Sequence, residues 1–435
     1  MDYVRRHLEA TLDDSLEASR VVVLHGARQS GKTTLARQVA QRRGGSYVTL
    51  DDDASRLAAL DDPMAYLSRL QAPAVVDEVQ VGGDRVVRAV KRLVDESDER
   101  GRFLLTGSTN FLSVPAISES LAGRARILRL FPFSQAELHR SSPVDLAGWF
   151  DACEVEPPRE TENRAQYMSR LCRGGFPEAV ALSPQQRQGW HDSYLETVIQ
   201  RDVTELGDIR RADALVDLVR WLAANTAGEL NVQAACGQLG IDRSTFDRYF
   251  AWLRTVFMVH TVPAWSRKHA ARVVRRPKLH FADTGMAAAL MGIDADALAS
   301  PTSTVAGPLL ETFVVNELAQ QNAGAAGVRI HHLRDYDGNE ADIVLERPDG
   351  AVAAVEVKST GNPGENHLKP LRWLRDRLDR TAEGIFRIGV LLHTGPHCHP
   401  IGDRLWLAPI NTLWNQPASR LHQIQAPPEP PRNSG

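Results

Sequence analysis

The run Gly26-Ala-Arg-Gln-Ser-Gly31-Lys32-Thr33 constrains this chain more than any other feature. It fits G-x-x-x-x-G-K-[ST], comes after the strand-like Arg20–Leu24 and opens a helical pattern over Thr33–Arg43. A glycine-rich turn between a strand and a helix curls backbone N–H groups around phosphate oxygens at the helix's positive end. The expected nucleotide-binding residues are therefore Gly26, Arg28, Gln29, Ser30, Gly31, Lys32, Thr33 and Thr34. Lys32 is expected to reach the β- and γ-phosphates of ATP, and the Thr33 hydroxyl to ligate Mg²⁺.

The segments downstream of the loop fit a sheet built around it. Ser46–Leu50, a run ending at Val75–Val76, and Phe103–Leu105 read as strands, with a helix over Val86–Val94 between the last two. Strands alternating with helices imply a parallel sheet covered on both faces. Ala74-Val75-Val76-Asp77-Glu78 ends a strand in two carboxylates. Asp77 is expected to hold the magnesium shell and Glu78 to polarise the attacking water, the alternative being a surface acidic turn. Leu104-Leu105-Thr106-Gly107-Ser108 brings hydroxyls to the ligand-binding end of another strand, where Thr106 or Ser108 could sense the γ-phosphate or simply close a turn. Arg124, in Leu121-Ala-Gly-Arg124, is a candidate to stabilise the transferring phosphate in cis or from a neighbouring subunit of a homo-oligomer, against a plain salt bridge within the domain.

At 435 residues the chain exceeds one ordinary core, so two or three domains are expected. A net charge of −3 gives no global pull toward nucleic acid or membrane, so any basic surface must be local. The first twenty residues are charged throughout and lack a signal-peptide core. No stretch approaches the roughly 18 apolar residues of a spanning helix. Cys153, Cys172, Cys236 and Cys398 lie far apart, without metal or disulfide spacing. A cytoplasmic location is the resulting expectation.

Beyond a polar stretch from His139 to about Glu160, read as a linker or long loop, the middle is helical. Leu215, Leu218, Val219 and Leu222 form one apolar stripe. Asn231 can cap a helix ended by Gly240, and Ser244 can cap the next, ahead of the strand-like Phe257–Val262; the order is that of a winged helix. The stretch Ser266–His280 carries Arg267, Lys268, Arg272, Arg275, Arg276 and Lys278 with no acidic residue. It is a candidate wing gripping DNA phosphates, or equally a solvated hairpin packing against the ATPase domain. From Leu309 a helix and five strands are expected, then a Pro-rich disordered tail over 416–435. His393, His397, Cys398 and His399 share a Gly-Pro loop, but adjacent ligands cannot converge on one zinc ion without strain.

Taken in order, the P-loop, Asp77-Glu78-Val-Gln80, Leu105-Thr-Gly-Ser108, Leu121-Ala-Gly-Arg124, Gly174-Gly-Phe-Pro-Glu178, Arg201-Asp202, Pro277-Lys-Leu-His-Phe-Ala-Asp-Thr-Gly285 and Glu340-Ala-Asp342 resemble a large bacterial and archaeal family of AAA-type ATP-binding proteins. The resemblance runs from about residue 5 to residue 400, with Ala27 and Ala341 as mild departures. It implies an α/β protein with a P-loop AAA-type parallel-sheet domain over 1–140. A helical lid and winged-helix-like region would span 160–300, and a domain related to PD-(D/E)xK nucleases 301–415. In such nucleases acidic residues hold a metal ion and a lysine stabilises charge at phosphate. The matching residues are Glu311, Asp342, Glu356 and Lys358, with Glu356 and Lys358 on one face of a strand. A retained but inactive scaffold or a surface salt bridge gives the same pattern.

The leading expectation is an ATP-driven switch or motor acting on nucleic acid. An ATP-gated nuclease and a nucleotide-switched signalling or partner-binding protein are the alternatives.

Overall fold

Short apolar runs, buried on both faces, build the three central strands of the N-terminal sheet. The computed structural model describes residues 3–108, 121, 123–205, 212–268, 272, 275–323, 327–335, 337–381 and 384–415. Strands β1 (Val21–His25), β2 (Tyr47–Thr49), β3 (Ala74–Asp77), β4 (Phe103–Gly107) and β5 (Ala125–Arg129) form one parallel sheet in the order β2-β3-β4-β1-β5. Alternation along β1 divides the core. Val22 and Leu24 pack with Leu35 and Val39 of the helix Lys32–Arg43 and with Leu12 of the helix Leu8–Ala18. Val21 and Val23 pack with Val86, Val87 and Val90 of the helix Gly83–Asp95. Strand β5 carries no clear sequence signal because Arg126 and the 52% exposed Ile127 break its apolar pattern at the sheet edge.

The stretch after His139 is no free linker. Asp145 caps a helix, Leu146–Asp151, by accepting the Gly148 N–H at 3.0 Å, and this helix buries Trp149 and Phe150. Arg387 and the Trp406 indole then donate to the carbonyls of Phe150 and Cys153, strapping the segment to the C-terminal sheet.

In the middle region Asn231 caps the helix Val232–Leu239, which ends on Gly240 at φ +62°. The next helix, Arg243–Thr255, is capped by Asp242 rather than Ser244, whose hydroxyl itself donates to Asp242. A carboxylate one residue ahead of the helix accepts the Thr245 N–H and outcompetes the serine. Strands β6 (Val259–Val262) and β7 (Lys278–Phe281) come next as an antiparallel pair, with His260 opposite His280.

The C-terminal region begins with the helix Ala306–Asn322. Strands β8 (Arg329–Arg334), β9 (Glu340–Glu346), β10 (Val352–Lys358), β11 (Phe386–His393), β12 (His399–Pro400) and β13 (Leu405–Pro409) form a mixed sheet in the order β12-β13-β11-β10-β9-β8. One face packs on Leu310, Phe313 and Val314 of the helix Ala306–Asn322. The other is covered by Leu368, Leu371, Leu374 and Leu378 of a second helix, Glu365–Asp379, that the sequence pattern does not reveal. The expected tail, 416–435, and the Arg201 and Asp202 side chains lie outside the described residues. No helix among the described residues is long and apolar enough to cross a membrane.

Candidate nucleotide site and a carboxylate cluster

Strand β1 delivers the chain to Gly26, where a Cβ would come within 2.1 Å of the Leu130 carbonyl oxygen; only glycine fits beside β5 there. The loop turns through Gln29 at φ +58° and Gly31 at φ +97° and enters the helix at Lys32. Lys32 is buried, and its ammonium donates to the carbonyls of Gly26 (3.0 Å) and Ala27 (2.8 Å). Burial pulls its pKa down to about 8, against the attraction of Glu78 and Asp77.

The Thr33 hydroxyl donates to Asp77 Oδ2 at 2.8 Å, bringing the start of the P-loop helix to the end of β3. The same oxygen accepts the Tyr47 hydroxyl at 2.7 Å, while Asp77 Oδ1 accepts that of Thr106. Thr106 thus spends its only proton on Asp77, and its oxygen accepts the Glu78 N–H at 3.3 Å. It positions the two carboxylate residues at the end of β3. Glu78 sits at φ +53°, and its carboxylate accepts from Ser108 Oγ at 3.0 Å and from Gln80 Nε2.

Two clefts flank the loop. A cavity of about 550 Å³ opens beside Gly31 and Thr34, walled by Tyr3, Val4, Pro177, Leu182 and Trp190. A second, of about 480 Å³, lies among Arg28, Gln29, Glu78 and Tyr194. Glu178 and Trp190 line both, joined by the indole N–H to Glu178 Oε2 at 3.1 Å. Arg6 secures the loop from below: its guanidinium donates to Ser30 O at 2.9 Å, Phe131 O at 2.7 Å and Glu137 at 3.0 Å. Nothing in the sequence marks Arg6, Tyr47 or Trp190 for these positions, since each reaches the loop from a distant segment.

Arg124 lies elsewhere. Val21 pairs with Ala125 and His25 with Arg129, so Arg124 precedes the end of β5 remote from the P-loop. There its guanidinium donates to Asp95 at 3.1 Å. A role in cis at the γ-phosphate is thereby corrected, because the length of the sheet separates the two.

In the C-terminal region Glu311, Asp342, Glu356 and Lys358 do converge. Lys358 Nζ lies 2.6 Å from Glu356 and 3.9 Å from Asp342, whose Oδ2 also accepts the Val357 N–H at 2.9 Å. Burial, then the neighbouring Asp342 charge, pushes both Glu311 and Glu356 up to about 8. Lys278 belongs by sequence to the basic stretch; its Nζ instead sits 2.7 Å from Glu311, 2.7 Å from Glu340 and 3.7 Å from Asp342. Among the described residues no group of three or more His, Cys, Asp or Glu side chains is arranged to hold a metal ion.

The basic stretch is likewise divided. Arg272 makes a two-pronged pair with Glu346 at 2.6 and 2.7 Å, so it is withdrawn from any phosphate. Arg275 donates to the Arg334 carbonyl at 3.0 Å. Arg267, Lys268 and Arg276 are exposed. His393 accepts the Gly395 N–H at Nδ1 and meets the His397 carbonyl with Nε2, leaving no lone pair for zinc.

Residues 18–139 match the family model described as an AAA domain, which supports an AAA-type P-loop ATPase at this end of the chain. Residues 164–297 and 306–413 match two domains of unknown function, DUF8612 and DUF4143. Uncharacterized proteins of Mycobacterium tuberculosis (Rv2008c) and Mycobacterium bovis (Mb2031c) are each 29% identical over 94% of this chain and 84% of their own length. Among solved structures, the Walker-type ATPase PABY2304 of Pyrococcus abyssi aligns at 16% identity and TM-score 0.38, covering 66% of this chain and 96% of that one. The RuvB Holliday junction branch migration motor of Thermotoga maritima aligns at 19% identity and TM-score 0.29, covering 59% and 89%.

Proposed function

We propose that this chain is a magnesium-dependent ATP hydrolase whose nucleotide state acts on or with nucleic acid. The observation that carries the hydrolase reading is the contact between Thr33 and Asp77, with Glu78 next in the chain and Lys32 beneath the loop. Magnesium prefers oxygen ligands and takes one or two from protein, the rest from phosphates and water. The Thr33 hydroxyl and the Asp77 carboxylate, steadied by Tyr47 and Thr106, fit that need. Bound there with ATP, the ion would neutralise charge on the β- and γ-phosphate oxygens.

Each residue then has a separable task. Backbone N–H groups of the loop and the start of the Lys32–Arg43 helix hold phosphate oxygens. Lys32 exchanges its two carbonyl partners for phosphate oxygens, and Glu78 orients the attacking water. The apolar cavity beside Gly31 takes the purine, with Tyr3, Val4, Leu182 and Trp190 around it. Arg124 contributes only if a second copy of the chain presents it.

The nucleic-acid part rests on exposed Arg267, Lys268 and Arg276 beside the β6–β7 pair, after two helices in winged-helix order. Binding of duplex and single-stranded DNA, with and without ATP, over a salt series tests it. Three phosphate contacts give a log–log salt slope of about −2 to −3. Salt-independent or absent binding under both nucleotide conditions would favour a nucleotide-switched partner-binding protein instead. The ATP-gated nuclease reading draws on the convergence of Asp342, Glu356 and Lys358, and Lys278 weighs against it.

A further inference from the structure

The C-terminal carboxylates belong to three separate elements, and a fourth element supplies the charge that joins them. Glu311 projects from the helix Ala306–Asn322, Glu340 and Asp342 from β9, and Glu356 from β10. Lys278 comes from β7 in the middle region, and its side chain is 3% exposed. An ammonium has three N–H donors. Two are satisfied by Glu311 and Glu340 at 2.7 Å each, with Asp342 Oδ1 next at 3.7 Å.

This is not an arrangement that tolerates a metal as well. A divalent ion bridging these carboxylates would stand about 2.0–2.6 Å from their oxygens. An ion shared by Glu311 and Glu340 would fall within the volume of the Lys278 nitrogen, and one on Glu311 and Asp342 would meet its like charge in a dry site. The lysine enters the site from a fixed backbone, and its side chain is buried along its length. Its backbone pairs with Val262 across β6 and with Glu229, and the Leu230 N–H donates to the Pro277 carbonyl at 2.9 Å. The metal that the nuclease resemblance implies therefore does not fit the residues present.

We infer that Lys278 is the resident counter-ion of this carboxylate cluster, held where a metal ion would sit, so that the cluster fastens the β6–β7 pair to the C-terminal sheet instead of binding a divalent cation. Glu356 sharpens the point. Its Oε1 is taken by Lys358 at 2.6 Å, while its buried Oε2 has no hydrogen-bond partner, an unmet acceptor for a cation that entered in place of Lys278.

Manganese binding to the full chain without nucleotide, monitored by the paramagnetic resonance of free Mn²⁺, tests this independently of the ATPase reading. Wild type is expected to have no Mn²⁺ site that Asp342→Asn removes. Lys278→Met is expected to gain one, at least tenfold tighter than background, and to lose it again when combined with Asp342→Asn. An Asp342-dependent site in wild type, or a folded Lys278→Met protein that gains none, overturns the inference. Should Lys278→Met fail to fold, the double variant Lys278→Met, Glu311→Gln decides. It relieves a stranded carboxylate and should regain a cooperative melting transition, whereas a double variant that also fails to fold contradicts the counter-ion role.

Discussion

Arg6 and Glu137 meet at 3.0 Å with both side chains almost wholly buried, and the same guanidinium holds the carbonyl of Ser30 in the P-loop. One residue near the start of the chain thus ties the phosphate loop to the turn after β5. Removing one partner of a buried pair typically costs about 3–5 kcal/mol. Arg6→Ala should sit near the low end, about 3 kcal/mol, because Glu137 keeps the backbone N–H groups of His7 and Ser134. Urea denaturation checks it. A loss below about 1 kcal/mol, the level of a surface pair, would refute the anchoring role.

The Thr33–Asp77 contact makes a second, ion-specific claim. Asp77→Asn keeps the shape but removes the charge that magnesium needs. Affinity for Mg-ATP should fall at least about tenfold, some 1.4 kcal/mol, while affinity for ATP in EDTA changes little. Calorimetric titration under both conditions separates the two. Equal losses with and without magnesium would mean that Asp77 only supports the loop.

The cavity beside Gly31 makes a claim about the base. Leu182→Asp places a charge against its apolar wall and should weaken ATP about tenfold while leaving inorganic triphosphate binding unchanged. Competition against a fluorescent ATP analogue reads both. A parallel loss for triphosphate would move the base elsewhere.

The legibility of each residue in the sequence depends on how local its signal is. Lys32, Thr33, Asp77 and Glu78 are readable because the glycine turn and the strand-end carboxylates are contiguous in sequence. The roles of Arg6, Tyr47 and Trp190 are not, because they arise only when distant segments meet over the loop. Thr106 stands out in the sequence, but its hold on Asp77 does not, since spacing cannot say which neighbour receives a hydroxyl proton. Arg124 looks poised until the register of β5 puts it at the far end of the sheet. Lys278 is hidden in a basic run, where its neighbours in sequence conceal its neighbours in space. Strand β5 and the helix Glu365–Asp379 escape notice because exposed Arg126 and Ile127 in one, and Pro370 with many charges in the other, obscure the periodicity.

Glu317 links the C-terminal helix Ala306–Asn322 to the start of the short helix Gln135–Leu138, accepting the N–H groups of Gln135 at 2.8 Å and Ala136 at 3.1 Å. Complete burial nevertheless raises its pKa from 4.5 to about 7. Between those values the folded state holds a proton that the unfolded state has lost. Stability contributed by this group therefore falls as pH rises through that window, by about 3 kcal/mol in all. Glu317→Gln should flatten this part of the stability–pH profile. An unchanged slope would show that the carboxyl is ionised throughout.

Steady-state ATP turnover by wild type, Lys32→Ala and Glu78→Gln, with nucleotide binding measured on the same preparations, tests the central claim most directly. Wild type should hydrolyse ATP only with magnesium. Lys32→Ala should lose binding and turnover together, whereas Glu78→Gln should keep binding and lose turnover at least about a hundredfold. Undiminished turnover in Glu78→Gln, or a wild-type chain that takes up no Mg-ATP, would contradict the account.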